Sequence, residues 1–375
     1  MQLHNYVSAR FRAPISLCLV TIFAAYWPSA PFATQEPVLL GRVEQAFAQP
    51  TAVGRAIATL QVFDGRLYAG YGDFTADTGP IAITPIDLAT GRIGGSLLSY
   101  ATEAVYGYRQ IGDQLFAADI DPRGTRQGGF ARGVSRDGAH VWTDHKVVPA
   151  LHVFDVATMD GSDLWLFGSA GDSAVAWRSL DGGVTWTTEL SVRPLFVGGF
   201  ARLYSGAVIE GKLFTQVVET PGGPVSAGMV FDGTRWTTGP GWFPSQARQE
   251  DTFPWRPHAV GRQVVYMDQH SGASHRMVRL YRFDGREAHL TFGPIDRHAT
   301  PDPQYAVVDL TAAAATAFVL NRRQEVWSST DLVNWRLRAT FRGPDGDRAT
   351  SIAVSGDHAY VGTSGSNIYR MSLAR

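Results

Sequence analysis

Apolar positions in this chain come in short strand-length runs, each opened by a polar turn. "DGRLYAG" ends at Gly70, "GDQLFAA" at Ala118, "GSDLWLF" at Phe167 and "EGKLFTQ" at Gln216. Anchored on the apolar residue before the aromatic, the pattern continues along the chain as Leu67, Leu115, Leu164, Leu213, Val264, Ala317 and Ala359, in steps of 48, 49, 49, 51, 53 and 42. The next position is aromatic in six of seven repeats: Tyr68, Phe116, Trp165, Phe214, Phe318 and Tyr360, with Val265 the exception. Aromatic and β-branched residues in runs of this length predict strands. Both faces of each run are apolar, which a sheet sandwiched between two other sheets requires.

A second column runs in phase with the first. Asp87, Asp137, Asp181, Asp232, Asp284 and Asp331 follow successive anchors, spaced by 50, 44, 51, 52 and 47. The fullest copy is "SLDGGVTW" around Asp181. Aspartate accepts bonds from nearby backbone N–H groups, glycine supplies positive φ, and the tryptophan returns apolar bulk to the core. The column therefore predicts a corner between two antiparallel strands, repeated in each unit.

"SLDGGVTW" also matches the Asp-box pattern Ser-x-Asp-x-Gly-x-Thr-Trp. "SRDGAHVW" keeps its Ser, Asp and Trp, and "STDLVNW" is a shortened variant. Over roughly residues 50–375 the chain resembles the Asp-box (BNR-repeat) β-propellers of the sialidase-like superfamily. That resemblance implies an all-β fold with the Asp boxes on the face away from the ligand. A repeat of about 48 residues holds four antiparallel strands, one blade. Seven anchors predict seven blades, with six or eight as alternatives. The last repeat has room for three strands, so a strand at 38–43 is expected to complete it and remove an exposed edge.

Composition narrows the function class. Of 375 residues 45% are apolar, enough for a sizeable core, and the net charge of −1 argues against nucleic acid as a partner. Lys146 and Lys212 are the only lysines among 33 basic residues. Arg10 and Arg12 precede the apolar run "PISLCLVTIFAAYW", and small residues follow. That order predicts an export signal over 1–33, a linker and closing strand over 34–50, and a propeller over 51–375. The apolar run is shorter than the ~20 residues a bilayer span needs, so no stable span is expected in the mature chain. The predicted location is extracellular or periplasmic, in the cell envelope. Cys18 is the only cysteine, so an export-processed chain would carry no disulfide and no thiolate site.

Polar residues recur at the starts of the predicted innermost strands. Arg55, Glu103, His152, Arg202, Arg256 and Arg348 are spaced by 48, 49, 50, 54 and 92, the last step spanning two blades, and His258 follows Arg256. The exits of the second strands add Asp73, Asp119, Asp121, Glu219, Asp268 and His270. In a closed ring these groups face one axial mouth. Arginine forks there would grip a carboxylate or sulfate, and carboxylates would bind sugar hydroxyls or exchange protons. The ligand-binding candidates are Arg55, His152, Arg202, Arg256, His258, Arg348 and Asp268; the catalytic candidates are Glu103, Asp73 and Asp121. No cofactor or metal is called for.

The resemblance to sialidases implies three arginines around a substrate carboxylate. Arg55 lies ten residues before Gly65, the matching place for the first, but in Arg-Ala-Ile order rather than Arg-Ile-Pro. Arg202 and Arg256 match the other two by register. The expectation is an exported propeller, a monomer, that binds a polar, anionic glycan or other polymer at its mouth. The alternatives are a sialidase-like glycoside hydrolase and a protein-interaction scaffold.

Overall fold

The computed structural model describes residues 36–220, 227–243, 252–270, 278–292, 306–344 and 346–374. The expected export segment, Cys18 and residues 244–251 thus lie outside the described residues. The rest forms seven antiparallel blades arranged as a propeller. Blade 1 spans residues 59–100, blade 2 108–148, blade 3 152–192, blade 4 200–239, blade 5 252–290, blade 6 307–340 and blade 7 349–372. In blades 2 to 6 the four strands follow chain order from the axis outward.

Each anchor residue sits on the second strand of its blade, where both faces are covered by neighbouring sheets. Leu67, Leu115, Leu213, Ala317 and Ala359 are fully buried, as are Tyr68 and Trp165 in the aromatic column. Burying one such side chain stabilises the fold by roughly 1.5–3 kcal/mol. Contacts between sheets combine aliphatic side chains with aromatic pairs. Trp142 packs edge-on to Tyr68 with ring centroids 5.2 Å apart. Phe214 meets Phe283 of the next blade in the same way, at 5.4 Å.

The aspartate column falls between the third and fourth strands, on the face away from the starts of the innermost strands. Asp181 Oδ1 accepts from the N–H groups of Val184 and Thr185 at 3.0 and 2.9 Å, and from the Ser179 hydroxyl at 2.7 Å. Asp331 accepts from Val333 and Asn334 N–H at 2.9 and 2.8 Å. The Thr185 hydroxyl and N–H hold the Asp181 carboxyl well below the usual range; the Asn334 amides do the same for Asp331. These are turn-forming carboxylates, fully engaged by their own loops.

Blade 7 closes as expected. Val38–Arg42 pairs antiparallel with Asn367–Ser372, with Leu39 opposite Tyr369 and Arg42 opposite Asn367. The outermost strand of the last blade therefore comes from the other end of the chain. Blade 1 is the irregular one. Thr59–Phe63, Arg66–Gly70 and Pro85–Asp87 form three strands, and the fourth position is reduced to a single bridge from Ile86 to Ile93. Its second-to-third connection makes an excursion through Ile81–Ile83, which pairs with Leu98–Tyr100 instead.

Urea unfolding separates the two kinds of position. Leu213→Ala, in a sealed contact between blades, is expected to cost about 2–5 kcal/mol. Leu39→Ser on the half-exposed closing strand is expected to stay within about 1 kcal/mol. A near-equal loss at both sites would contradict the assignment of the core to the second strands.

Candidate functional site

The axis of the ring is closed by two arginine–aspartate pairs. Both aspartates sit beside a bulge in an innermost strand, Asp155 in blade 3 and Asp309 in blade 6. The bulge turns the carboxylate inward, so each aspartate caps its own strand and the next one. Asp155 accepts from Val156 N–H at 2.9 Å and from Gly206 N–H of blade 4 at 3.0 Å. Asp309 accepts from Leu310 N–H and from Ile352 N–H of blade 7, both at 2.8 Å.

The cations come from the preceding blades. Arg109 of blade 2 grips Asp155 with two parallel bonds of 2.8 Å. It also donates to the carbonyls of Gly206, at 3.1 Å, and Pro257. Arg256 of blade 5 pairs with Asp309 and donates to the carbonyls of Tyr106 and Ala58. One pair thus links blades 2 to 5, and the other links blades 5, 6 and 7 to the first strand onsets of blades 1 and 2. Burial works against the Arg109 charge, but the Asp155 carboxylate outweighs it and keeps the guanidinium protonated. Burial pushes the Asp309 carboxyl up, against the pull of Arg256. Arg256 holds φ at 51° immediately before a proline, a backbone state that side chains and a following proline both disfavour. Its four internal bonds hold it there.

Between the pairs lies a cavity of about 40 Å³. Its lining includes Gln61, Arg109, Ser205, Trp255, Arg256 and His258. A water needs roughly 10–15 Å³, so the hub has room for a few waters and excludes a sugar ring. Burial, then the charges of Arg109 and Arg256, push His258 down to about 3, so it is neutral at ordinary pH. Arg256 and His258, expected as ligand contacts, therefore face the hub.

Above the hub, on the face where the innermost strands begin, three expected residues do meet. Asp121 Oδ1 lies 2.6 Å from His152 Nδ1, which also faces the Ile120 carbonyl at 2.9 Å. His152 Nε2 lies 3.0 Å from an Arg202 nitrogen. A guanidinium can only donate, so Nε2 accepts and the ring proton sits on Nδ1, facing Asp121. The Arg202 guanidinium lies over the Phe200 and Phe154 rings, 4.2 and 5.8 Å from their centroids. Tyr204 stacks on Phe253 at 3.7 Å and tilts against Phe154 at 4.5 Å. Arg202 is partly buried, yet among the described residues it has no carboxylate partner.

Glu103 lies beside this cluster, its N–H donating to the Asp121 carbonyl at 3.1 Å. Burial, and then the charges of Asp121 and Asp77, push its carboxyl up to about 7. The remaining expected residues are engaged elsewhere. Asp73 caps the short turn Phe74–Ala76 and accepts from Thr51 and Thr75 hydroxyls at 2.7 and 2.6 Å. Those bonds outweigh burial and lower its pKa. Asp268 is buried against Arg279 at 2.9 Å, and burial raises it to about 6. Asp119 pairs with Lys146, and burial likewise raises it to about 6. Arg55 donates to the Gln49 carbonyl at 3.3 Å, and Arg348 is exposed. Among the described residues no group of three or more His, Cys, Asp or Glu is placed to hold a metal.

Several hub residues lie outside the sequence expectation: Arg109, Asp309, and the bridging role of Asp155. A signal was present. Asp155 and Asp309 are lone carboxylates inside apolar strands, in "VFDVA" and "VVDLTA". Trp242 is fully buried against Tyr266 and Phe283.

Solved structures share the architecture at low identity. A catalytically inactive virginiamycin B lyase from Staphylococcus aureus, solved with quinupristin, matches with TM-score 0.57 and 12% identity over 90% of this chain and 99% of its own. The selenomethionine form of that lyase gives TM-score 0.55 and 12% identity, over 90% of this chain and 98% of its own. The β-propeller domain of the trilobed protease from Pyrococcus furiosus matches with TM-score 0.50 and 9% identity, over 84% of this chain and 93% of its own. At such identities the likeness is one of fold. No protein-family model matches the chain, and no curated protein matches it.

Two measurements check this geometry. A Cβ at Gly206 would lie 2.3 Å from the Phe167 ring, so Gly206→Ala must shift the backbone that joins Arg109 to Asp155. It is expected to cost about 1–3 kcal/mol in urea unfolding; an unchanged midpoint would contradict the close approach. For Glu103, a folded pKa near 7 lies above its ordinary 4.5. Its contribution to stability is therefore complete below pH 4.5 and lost as pH rises through 7. Melting temperature against pH should show that decline, and Glu103→Gln should flatten it.

Proposed function

We propose that this chain is an exported propeller that binds a polar, anionic glycan or polymer at its mouth, with Arg202 as the anion contact. The observation that carries this is the state of Arg202. The hub arginines are each neutralised by a carboxylate, whereas Arg202, among the described residues, is held by the His152 ring, the Tyr204 hydroxyl and two aromatic rings. A partly buried guanidinium without a counter-ion is ready to take one from a ligand. Asp121 and His152 act as positioning residues, since their chain of bonds fixes one guanidinium nitrogen, while a second makes only a long 3.5 Å bond to the Tyr204 hydroxyl. The aromatic rings beside it suit the apolar faces of sugar rings. Export is supported by the charged, apolar, small-residue order within Met1–Ala33. The Asp-box turns on the far face support kinship with the sialidase-like propellers.

Glu103 favours a second reading, a glycoside hydrolase. A carboxyl near pH 7 beside a second carboxylate, Asp121, is the pairing of proton donor and charged partner that such chemistry uses. In that case Arg202 would hold the substrate carboxylate without Arg256, whose guanidinium is bound to Asp309.

An array of neutral, carboxylated and sulfated glycans, with a panel of chromogenic glycosides, tests both. The wild type should retain anionic glycans. Arg202→Gln should weaken that binding about 10- to 100-fold, the worth of a charged hydrogen bond of roughly 1.5–3 kcal/mol. Retention of anionic glycans by Arg202→Gln would overturn the assignment. Turnover that vanishes in Glu103→Gln, while binding persists, would establish the hydrolase.

A further inference from the structure

We infer that the mouth over blades 3 and 4 takes an anionic amphiphile, a single molecule whose carboxylate or sulfate head sits on Arg202 and whose alkyl or aryl body lies along the loop at 193–199. This rests on the anion-binding reading of Arg202 and deepens it by naming what carries the charge. That loop joins the outermost strand of blade 3 to the innermost strand of blade 4. Its tip reads Leu-Phe-Val, with Leu195 71%, Phe196 46% and Val197 108% exposed. Three consecutive large apolar side chains facing water are unusual at a loop tip, where polar residues are the rule.

The loop is held in this state by bonds at its base. Gly199 N–H donates to the Phe196 carbonyl at 3.2 Å, closing a tight turn in which Gly198 takes φ 80°. Leu195 N–H donates to the buried carboxylate of Glu219 at 3.2 Å. The turn therefore fixes the backbone while its side chains stay outside the core. Leu151, 53% exposed, lies directly before His152.

The charge lies beside this patch. Phe200 follows the turn, and its ring carries the Arg202 guanidinium at 4.2 Å. From Val197 through Phe200 to Arg202 the chain changes from exposed aliphatic to aromatic to cationic. A fully hydrophilic glycan would leave the tip in water, and a neutral lipid would leave Arg202 without a counter-ion. A ligand with an anionic head and an apolar body satisfies both.

Isothermal titration of the full chain with sodium decanoate below its micelle concentration tests this. Decyltrimethylammonium, a polygalacturonate oligomer and vesicles of anionic phospholipid are run in parallel. Decanoate should bind, and decyltrimethylammonium should not. Arg202→Gln and the pair Leu195→Ser with Val197→Ser should each weaken decanoate at least about tenfold, roughly 1.4 kcal/mol. The serine pair lies at exposed positions, so circular dichroism should show an unchanged fold. Oligogalacturonate should respond to Arg202→Gln and ignore the serine pair. Decanoate binding that ignores the serine pair, or equal binding of the cationic amphiphile, overturns the inference. So does binding of vesicles without binding of the monomer. If oligogalacturonate binds through Arg202 while decanoate does not bind, this inference falls and the anionic-glycan reading stands. If no anion depends on Arg202, both fall.

Discussion

The two buried arginine–aspartate pairs at the axis are what turns seven separate sheets into one ring. A blade buries its flat faces against its neighbours, but hydrophobic contact is non-directional and does not by itself set the angle between blades. The pairs do. Asp155 and Asp309 each receive a bond from the next blade's backbone, and each accepts a guanidinium from the blade before. Removing one partner of such a pair leaves an uncompensated buried charge, which costs far more than the intact pair contributes. The two units are also related in sequence. Arg109 and Arg256 are 147 residues apart, Asp155 and Asp309 154, about three blades in both cases.

The hub also decides what the mouth can be. With the channel filled by ion pairs and a cavity of about 40 Å³, nothing sugar-sized passes along the axis. Ligand chemistry is confined to the rim above. There the carboxylates divide by environment. Asp268 and Asp119 are committed to Arg279 and Lys146, and Asp73 to a turn. Asp121 is bound to His152, and Glu103 is left with a raised pKa and no cation of its own strong enough to lower it. Arg202 is the complementary group, a charge held by neutral neighbours.

The fold was legible because propeller strands carry two independent signals. Leu67 to Ala359 and Asp87 to Asp331 recur in phase, one marking sealed second strands and the other marking corners. The closing strand was legible from a shortage of strands in the last repeat. Blade 1 was less so, because its excursion through Ile81–Ile83 leaves the period intact while moving a strand out of the sheet. For the site, His152 and Arg202, in register in the sequence, lie 3.0 Å apart in the structure. Register could not tell an arginine that faces the mouth from one that faces the hub. Arg256 differs from Arg202 by a left-handed φ and by lying within the register shift of its strand, between Trp255 and His258, and neither is written in residue spacing. Asp155 follows His152 by three residues, a spacing that puts the two on opposite faces of a regular strand. The bulge between Val153 and Asp155 changes that register and sends Asp155 to the axis.

The most direct test is a double-mutant cycle at the hub, with Arg256→Met, Asp309→Leu and the pair, each followed by urea unfolding. Each single variant should lose about 3–5 kcal/mol, because it leaves a charge buried alone. The double variant should recover much of that loss, giving a coupling energy of about 2 kcal/mol or more. Additive losses, with a coupling energy near zero, would mean that the two groups act separately and that the ring is held by blade packing alone.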